Sequence, residues 1–198
     1  MRIIAGTYRS RILKSLRGRA LRPTSDQLRE TLFNVLGDGV AGSRFLDLFA
    51  GTGAMGIEAL SRGAREAVFV ENHAPAATLI RRNLASLGIS DGATVLAMDA
   101  VRGLALLGSG EKARSSPFDY IFLDPPYAAA SDYRRVLESL GWGDLVAPGG
   151  VVIAEHGRKF ALPEEVGALE CYRVLQQADA GLSFYRLAAA ARKNNSAP

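Results

Sequence analysis

From residue 44 onward, short apolar runs alternate with helical stretches, and that alternation leaves few architectures open. Candidate strands are 44–49 (RFLDLF), 66–71 (EAVFVE), 93–98 (ATVLAM), 118–124 (FDYIFLD) and 150–155 (GVVIAE). Between them, residues 55–62, 74–87, 100–107 and 131–140 are helical in composition and period. In the second of these, Ala77, Ile80, Leu84 and Leu87 form one stripe, while Arg81, Arg82 and Asn83 face elsewhere. Strands that are apolar almost throughout, each followed by a helix, predict a parallel sheet covered on both faces. The rhythm breaks at the end. Residues 169–177 and 181–187 are separated only by Ala178-Asp179-Ala180, which predicts an antiparallel hairpin. The expected fold is a Rossmann-like α/β domain over residues 41–190, with a mostly parallel seven-stranded sheet ending in that hairpin. The polar tract 108–117 (GSGEKARSSP) reads as a mobile surface loop, and 191–198 as a disordered tail.

Residues 1–40 form a separate unit in this reading. RIIAG and RSRILKSL suggest a small hairpin, and a helix follows Arg22-Pro23 from near Thr24. Thr24 and Gln27 have capping-box spacing, Leu28, Leu32 and Val35 make an apolar stripe, and Arg29 projects from another face. The first 30 residues carry eight basic groups against Asp26 and Glu30, a balance of +6. The whole chain is +4, so the remainder is −2. A basic segment on a mildly acidic body suits a nucleic-acid-binding arm, and a solvated surface explains the charge equally well. If the segment is an arm, residues 1–21 serve RNA and can be removed without loss of cofactor binding.

Composition narrows the class. At 198 residues and 48% hydrophobic, the chain can bury one substantial core. No apolar run approaches a membrane helix, and the first residues carry charges where a signal peptide has its apolar stretch. These features predict a soluble cytoplasmic protein with no membrane partner. The single cysteine, Cys171, excludes an internal disulfide and a multi-cysteine metal site.

Residues 47–56, DLFAGTGAMG, follow a strand and open a helix. Gly51 to Gly56 satisfies G-x-G-x-x-G, and Glu71 lies 20 residues after Gly51, which fits a dinucleotide template. Three features favour S-adenosylmethionine over a nicotinamide cofactor. Asp47, inside the strand, suits the ammonium of a methionyl group. The helix N-terminus suits its carboxylate. Asp99, at the end of the third strand, suits an adenine amino group. Glu71 would hold ribose hydroxyls in either case.

The tract Asp124-Pro125-Pro126-Tyr127 follows YIFL. Two prolines stop the strand and fix the backbone, which leaves an acid at the carboxyl edge of the sheet, where open α/β folds place ligands. The amine of a nucleobase is a poor nucleophile because its lone pair is delocalised into the ring. Acceptance of its two N–H groups by Asp124 and the Pro125 carbonyl would turn that lone pair toward an electrophile. Tyr127 would stack on the base.

DLFAGTG followed by DPPY resembles the methyltransferases that modify exocyclic amines of nucleobases. With RPTSDQLRETLFNVL at 22–36, RIIAG near the start and GIEALSRGA at 56–64, the chain resembles the bacterial ribosomal RNA small subunit methyltransferase D family. The serine often found in that family's glycine loop is Thr52 here. The resemblance implies a class I methyltransferase fold and methyl transfer from S-adenosylmethionine to the 2-amino group of one guanine in 16S ribosomal RNA. It implies as substrate an assembled small subunit or assembly intermediate, with ribosomal proteins as further partners, and a monomeric enzyme is expected. Carried over by position, it implies Asp47, Phe49, Gly51, Gly53, Glu71, Asn72, Asp99 and Ala100 at the cofactor. Asp124, Pro125 and Tyr127 would be catalytic. Arg22, Pro23, Thr24, Arg29 and Pro126 would lie near the substrate. Two other functions share these motifs: a DNA adenine-amino methyltransferase, disfavoured because no insertion is large enough for a DNA-reading domain, and a non-catalytic RNA-binding assembly factor, disfavoured by the intact DPPY.

His73 and His156 are not spaced as a metal pair and are expected at the surface near strand ends. Cys171 and Trp142 are expected in packing roles. No metal is required, because sulfonium-to-amine transfer is a direct displacement.

Overall fold

The computed structural model describes residues 1–15, 25–109, 117–126 and 130–188. Most of the 108–117 tract, the C-terminal tail, Arg22, Pro23, Thr24 and Tyr127 therefore lie outside the described residues. The chain divides into two compact units, Met1–Ala100 and Val101–Pro198. No described helix is long and apolar enough to cross a membrane.

In the first unit, strands β1 (Arg44–Leu48), β2 (Glu66–Val70) and β3 (Ala93–Leu96) lie in the order β3-β2-β1, all parallel. β1 and β2 each bury four consecutive residues, as strands covered on both faces must. Helices α1 (Asp26–Leu36), α2 (Ala54–Ser61) and α3 (Ala74–Leu87) belong to the same unit. Register aligns Leu48 with Val70 and Val70 with Leu96, so the three strands end together at one edge.

In the second unit, α4 (Ala100–Gly108) precedes β4 (Phe118–Leu123), α5 (Ala130–Gly141) and β5 (Val146–Gly157). Strand order is β4-β5-β8-β7-β6, with β6 Glu165–Val166, β7 Leu169–Gln177 and β8 Ala180–Leu187. β4 and β5 are parallel, and the remaining pairs are antiparallel. The expected hairpin is present. Its loop is two residues, because Ala180 already pairs with Gln177, and Ala178 takes the positive φ of 52° that such tight turns demand. Where seven strands were expected, the described residues form eight. β6 has only two residues, too short to show a period, yet it pairs with the start of β7. β5 is also longer than its apolar run, because Val146–Gly149 extends the ladder past a register shift.

Four other expectations are corrected. Trp142, expected in a packing role, is 81% exposed. Ser25, not Thr24, caps α1, accepting the Leu28 N–H at 3.1 Å. Asn83 is fully buried on the packed face of α3. His156 is also buried, its Nε2 paired with Ser183 Oγ at 2.9 Å and its Nδ1 with the Gly157 carbonyl at 3.0 Å.

The largest departure concerns the basic N-terminus. Helix α2 is buried on nearly every side, including Glu58 and Ser61. Residues 1–15 cover it. The segment turns back on itself through one antiparallel bridge, Arg2 with Ile12, and buries Ile3 and Leu13. Its amides then find partners on α2. Ile4 and Ala5 donate to the two Glu58 carboxylate oxygens at 2.8 and 3.0 Å, and Tyr8 donates to Ser61 Oγ at 3.0 Å. Gly6 sits so close that a Cβ there would lie 1.7 Å from the Ser61 carbonyl oxygen, which excludes any side chain. The segment is part of the core of the first unit, so its removal would strip α2 as well as any RNA contact. The expected independence of residues 1–21 from the cofactor loop does not fit this packing.

Glu58 also pairs with Arg62 Nε at 2.8 Å and lies 3.7 Å from Arg29 Nε. Arg29, expected at the substrate, is instead fully buried. It donates to the Arg2 carbonyl at 2.6 Å and to Asp26 Oδ1 at 3.0 Å. Its face of α1 turns inward because the Arg2 carbonyl accepts from it there and the Glu58 carboxylate balances its charge. Truncating one member of a buried ion network strands the others, so Glu58→Ala should cost about 3–5 kcal/mol in urea unfolding. A loss below about 1 kcal/mol would show that the network contributes little.

Candidate functional site

The common edge of β1, β2 and β3 carries the cofactor candidates of the first unit. Asp47 lies within β1 and is almost fully buried. Its Oδ2 accepts the Gly56 N–H at 3.0 Å. Helix α2 has Gly53 at its N-cap, with no side chain to satisfy the first amides. Asp47 supplies that acceptor from the strand. Gly56 is the point of closest approach between helix and sheet, since a Cβ there would meet the Phe69 ring at 2.3 Å.

Glu71 follows β2. Its Oε2 accepts the Gly51 N–H at 2.8 Å and its Oε1 accepts the His73 N–H at 2.8 Å. One carboxylate therefore holds both the glycine loop and the entry to α3. Each oxygen retains acceptor capacity beyond one N–H, so hydroxyl donors can still be received. Between the two acids, Phe49 adopts φ +63° and Gly51 φ +55°. A non-glycine residue in the left-handed region is strained, and such strain persists where surrounding contacts fix it. A Cβ on Gly51 would meet only the Phe49 carbonyl oxygen, at 3.9 Å, so open space lies in front of the loop. A loop with open space before it and two acids behind it suits a cationic, hydroxyl-bearing ligand.

The remaining cofactor candidates fall on neighbouring turns. Asn72 is exposed directly after Glu71. Asp99 is half-buried three residues beyond β3, which ends earlier than its apolar run, and Ala100 is the buried first residue of α4. In the second unit, Leu123 pairs with Ala154 at the end of β4, and Asp124 emerges at that strand's carboxyl end. Asp124 is half-buried, Pro125 buried and Pro126 exposed. The described residues contain no group of three or more His, Cys, Asp or Glu placed to hold a metal.

Two residues outside the motifs are polar anchors here: Glu58 holds the N-terminal segment on α2, and Asn83 holds both that segment and the loop. Each lies on an otherwise apolar helix face, and a polar residue in a buried stripe was the available signal.

Parallel strands, a glycine loop pinned by acids after β1, and Asp-Pro-Pro after β4 together define a Rossmann-like methyltransferase. A family described as "Conserved hypothetical protein 95" matches residues 1–186. A Bacillus subtilis protein named "Putative rRNA methyltransferase YlbH" is 37% identical, covering 94% of this chain and 98% of its own length. The Escherichia coli ribosomal RNA small subunit methyltransferase D is 33% identical, covering 92% and 93%. The chain belongs to the ribosomal RNA small subunit methyltransferase D family. Among solved structures, the Thermus thermophilus 16S rRNA N2 methyltransferase RsmC, in complex with AdoMet and guanosine, superposes with TM-score 0.67 at 25% identity. That match covers 86% of this chain and 44% of RsmC.

Burial pushes the Asp47 carboxyl up to about 7; the Gly56 N–H opposes this and the charge of Glu71 adds to it. The unfolded group titrates near 3.8, so between these values the folded state holds a proton that the unfolded state has released. The contribution of Asp47 to stability therefore falls as pH rises through that window. A cation bound beside Asp47 favours its ionised form, so binding releases a proton. Affinity for S-adenosylmethionine should rise from about pH 5.5 to about 7.5, until the ligand's own amine begins to deprotonate. Titration calorimetry in buffers of different ionisation enthalpy would register the proton, and Asp47→Asn should abolish the release. A flat profile in the wild type would separate Asp47 from the ligand.

Proposed function

We propose that this chain transfers the methyl group of S-adenosylmethionine to the exocyclic 2-amino group of a guanine in 16S ribosomal RNA. The acceptor is the RNA of an assembled small subunit or an assembly intermediate. The observation that carries this reading is the emergence of Asp124 at the carboxyl end of β4, stopped by Pro125 and Pro126. Family membership and the guanosine held by RsmC support the choice of base.

When bound, S-adenosylmethionine supplies an electrophilic methyl on a positively charged sulfur. Asp47 would face its ammonium and Glu71 its ribose hydroxyls. Phe49, Asn72, Asp99 and Ala100 would enclose the adenosine, and the positive end of α2 would receive the carboxylate. Gly51 and Gly53 would let the backbone approach the ligand. Asp124 would accept an N–H of the guanine amine and balance the positive charge that develops on its nitrogen as the methyl leaves the sulfur. The Pro125 carbonyl would accept the second N–H. Pro126 and Tyr127 would border the base, and Arg22 and Thr24 would meet the RNA around it.

The guanine must leave its stack to reach Asp124, at a cost of a few kcal/mol, and the surrounding RNA must be held meanwhile. Arg2, Arg9, Arg11 and Lys14 are exposed on the N-terminal segment, which buries Ile3 and Leu13 and is bonded to α2 through its amides. Cations on a fixed support lose little freedom when they meet phosphates.

Incubation with labelled cofactor and unmodified small subunits, naked RNA or DNA, followed by nucleoside analysis, should yield N2-methylguanosine from small subunits. Methyl-adenine in DNA as the main product would overturn the proposal, and no transfer to any of them would favour an assembly factor. Asp124→Ala should reduce turnover by about a hundredfold or more while leaving cofactor affinity within several-fold.

A further inference from the structure

Asn83 is fully buried on α3, and its side chain bonds to backbone groups. Its Oδ1 accepts the Lys14 N–H at 3.0 Å. Its Nδ2 donates to the Lys14 carbonyl at 3.2 Å and to the Thr52 carbonyl at 3.0 Å. Lys14 belongs to the basic N-terminal segment, and Thr52 is the middle residue of Gly51-Thr52-Gly53. One side chain thus holds the basic segment in a two-way amide clasp and, with its second amino hydrogen, fixes the loop. A second contact runs alongside, from Thr52 Oγ1 to Met1 Sδ at 3.7 Å.

A residue needed only to fill α3 packing would be apolar here, as its stripe neighbours Ile80 and Leu87 are. Burying an amide is costly unless its donors and acceptor are used, and Asn83 uses them on two segments far apart in sequence. The loop has few other restraints. Gly51 is held by Glu71, Gly53 donates to the Ala50 carbonyl at 2.7 Å, and the Thr52 carbonyl is aimed by Asn83.

We propose that Asn83 is a positioning residue that joins the N-terminal segment to the methyl-donor loop, so that the loop takes its binding geometry only while Lys14 is clasped. The ligand named here rests on the proposed function, whereas the clasp itself does not. Because coupling between two sites is reciprocal, ligand in the loop should tighten the segment as much as the clasped segment improves the loop.

Three proteins would be compared: wild type, Asn83→Ala, and Lys14→Pro, which keeps Asn83 but removes the amide it accepts at an exposed position. S-adenosylhomocysteine affinity is measured by calorimetry, and hydrogen exchange is followed in peptides covering residues 1–15 and 47–57, with β4 and β5 peptides reporting the fold. The expected result is affinity weakened by about tenfold in Asn83→Ala and several-fold in Lys14→Pro. Both variants should exchange faster in 47–57 even without ligand. In wild type the ligand should slow exchange in 1–15, and in Asn83→Ala it should not. If Asn83→Ala loses β4 and β5 protection, Lys14→Pro decides. Wild-type affinity and loop exchange in the variants that fold would overturn the proposal. A wild type that binds no S-adenosylhomocysteine would instead remove the cofactor reading, and ligand-free loop exchange would still test the clasp.

Discussion

Two buried carboxylates hold the turn from β1 into α2, and the rest of the first unit is arranged around them. The chain leaves β1, reverses through residues of positive φ and enters a helix whose N-cap has no side chain. The amides exposed by that path need acceptors. Glu71 takes the Gly51 amide from the end of the neighbouring strand, and Asp47 takes the Gly56 amide from below. Burial, with the charge of Glu71 adding to it, disfavours ionised Asp47, and a cation beside Asp47 would favour its charge. The feature that stabilises the loop would therefore also suit it to the proposed ligand, a sulfonium compound with an ammonium group.

The second constraint is helix α2. A helix buried on nearly every side needs a cover, and its polar residues need partners inside that cover. The N-terminal segment meets both needs with backbone amides, which leaves its charged side chains to point outward. Basic residues that read as a flexible arm are therefore mounted on a braced surface. The brace extends from Arg29 through Glu58 to Ile4 and Ala5, and from Asn83 to Lys14. The basic surface and the brace of the glycine loop are one piece of chain.

Strands and helices after residue 44 were legible because apolar runs and helical stripes report burial directly, and the alternation could have few other meanings. The glycine loop, its two acids and Asp124 were legible because rare residue types stand at fixed spacings. What escaped were contacts between segments distant in sequence. Arg29 looked like a surface cation because nothing local announces Glu58 as its neighbour. Asn83 looked like a solvated residue between two arginines, although its spacing from Ile80 and Leu87 put it on the packed face. β6 is too short to have a pattern, and the Ser25 cap competed with an equally plausible threonine one residue earlier.

If the carboxylate-pinned loop is the donor site, Glu71→Gln disables it most directly. Its two oxygens each receive an amide N–H, so a carboxamide must turn a donor toward one of them and loses charge as well. S-adenosylhomocysteine affinity, measured by calorimetry on protein with an unchanged melting transition, should fall by about a hundredfold. Affinity within twofold of the wild type would contradict the account, because the loop would then form and bind without the acid that holds it.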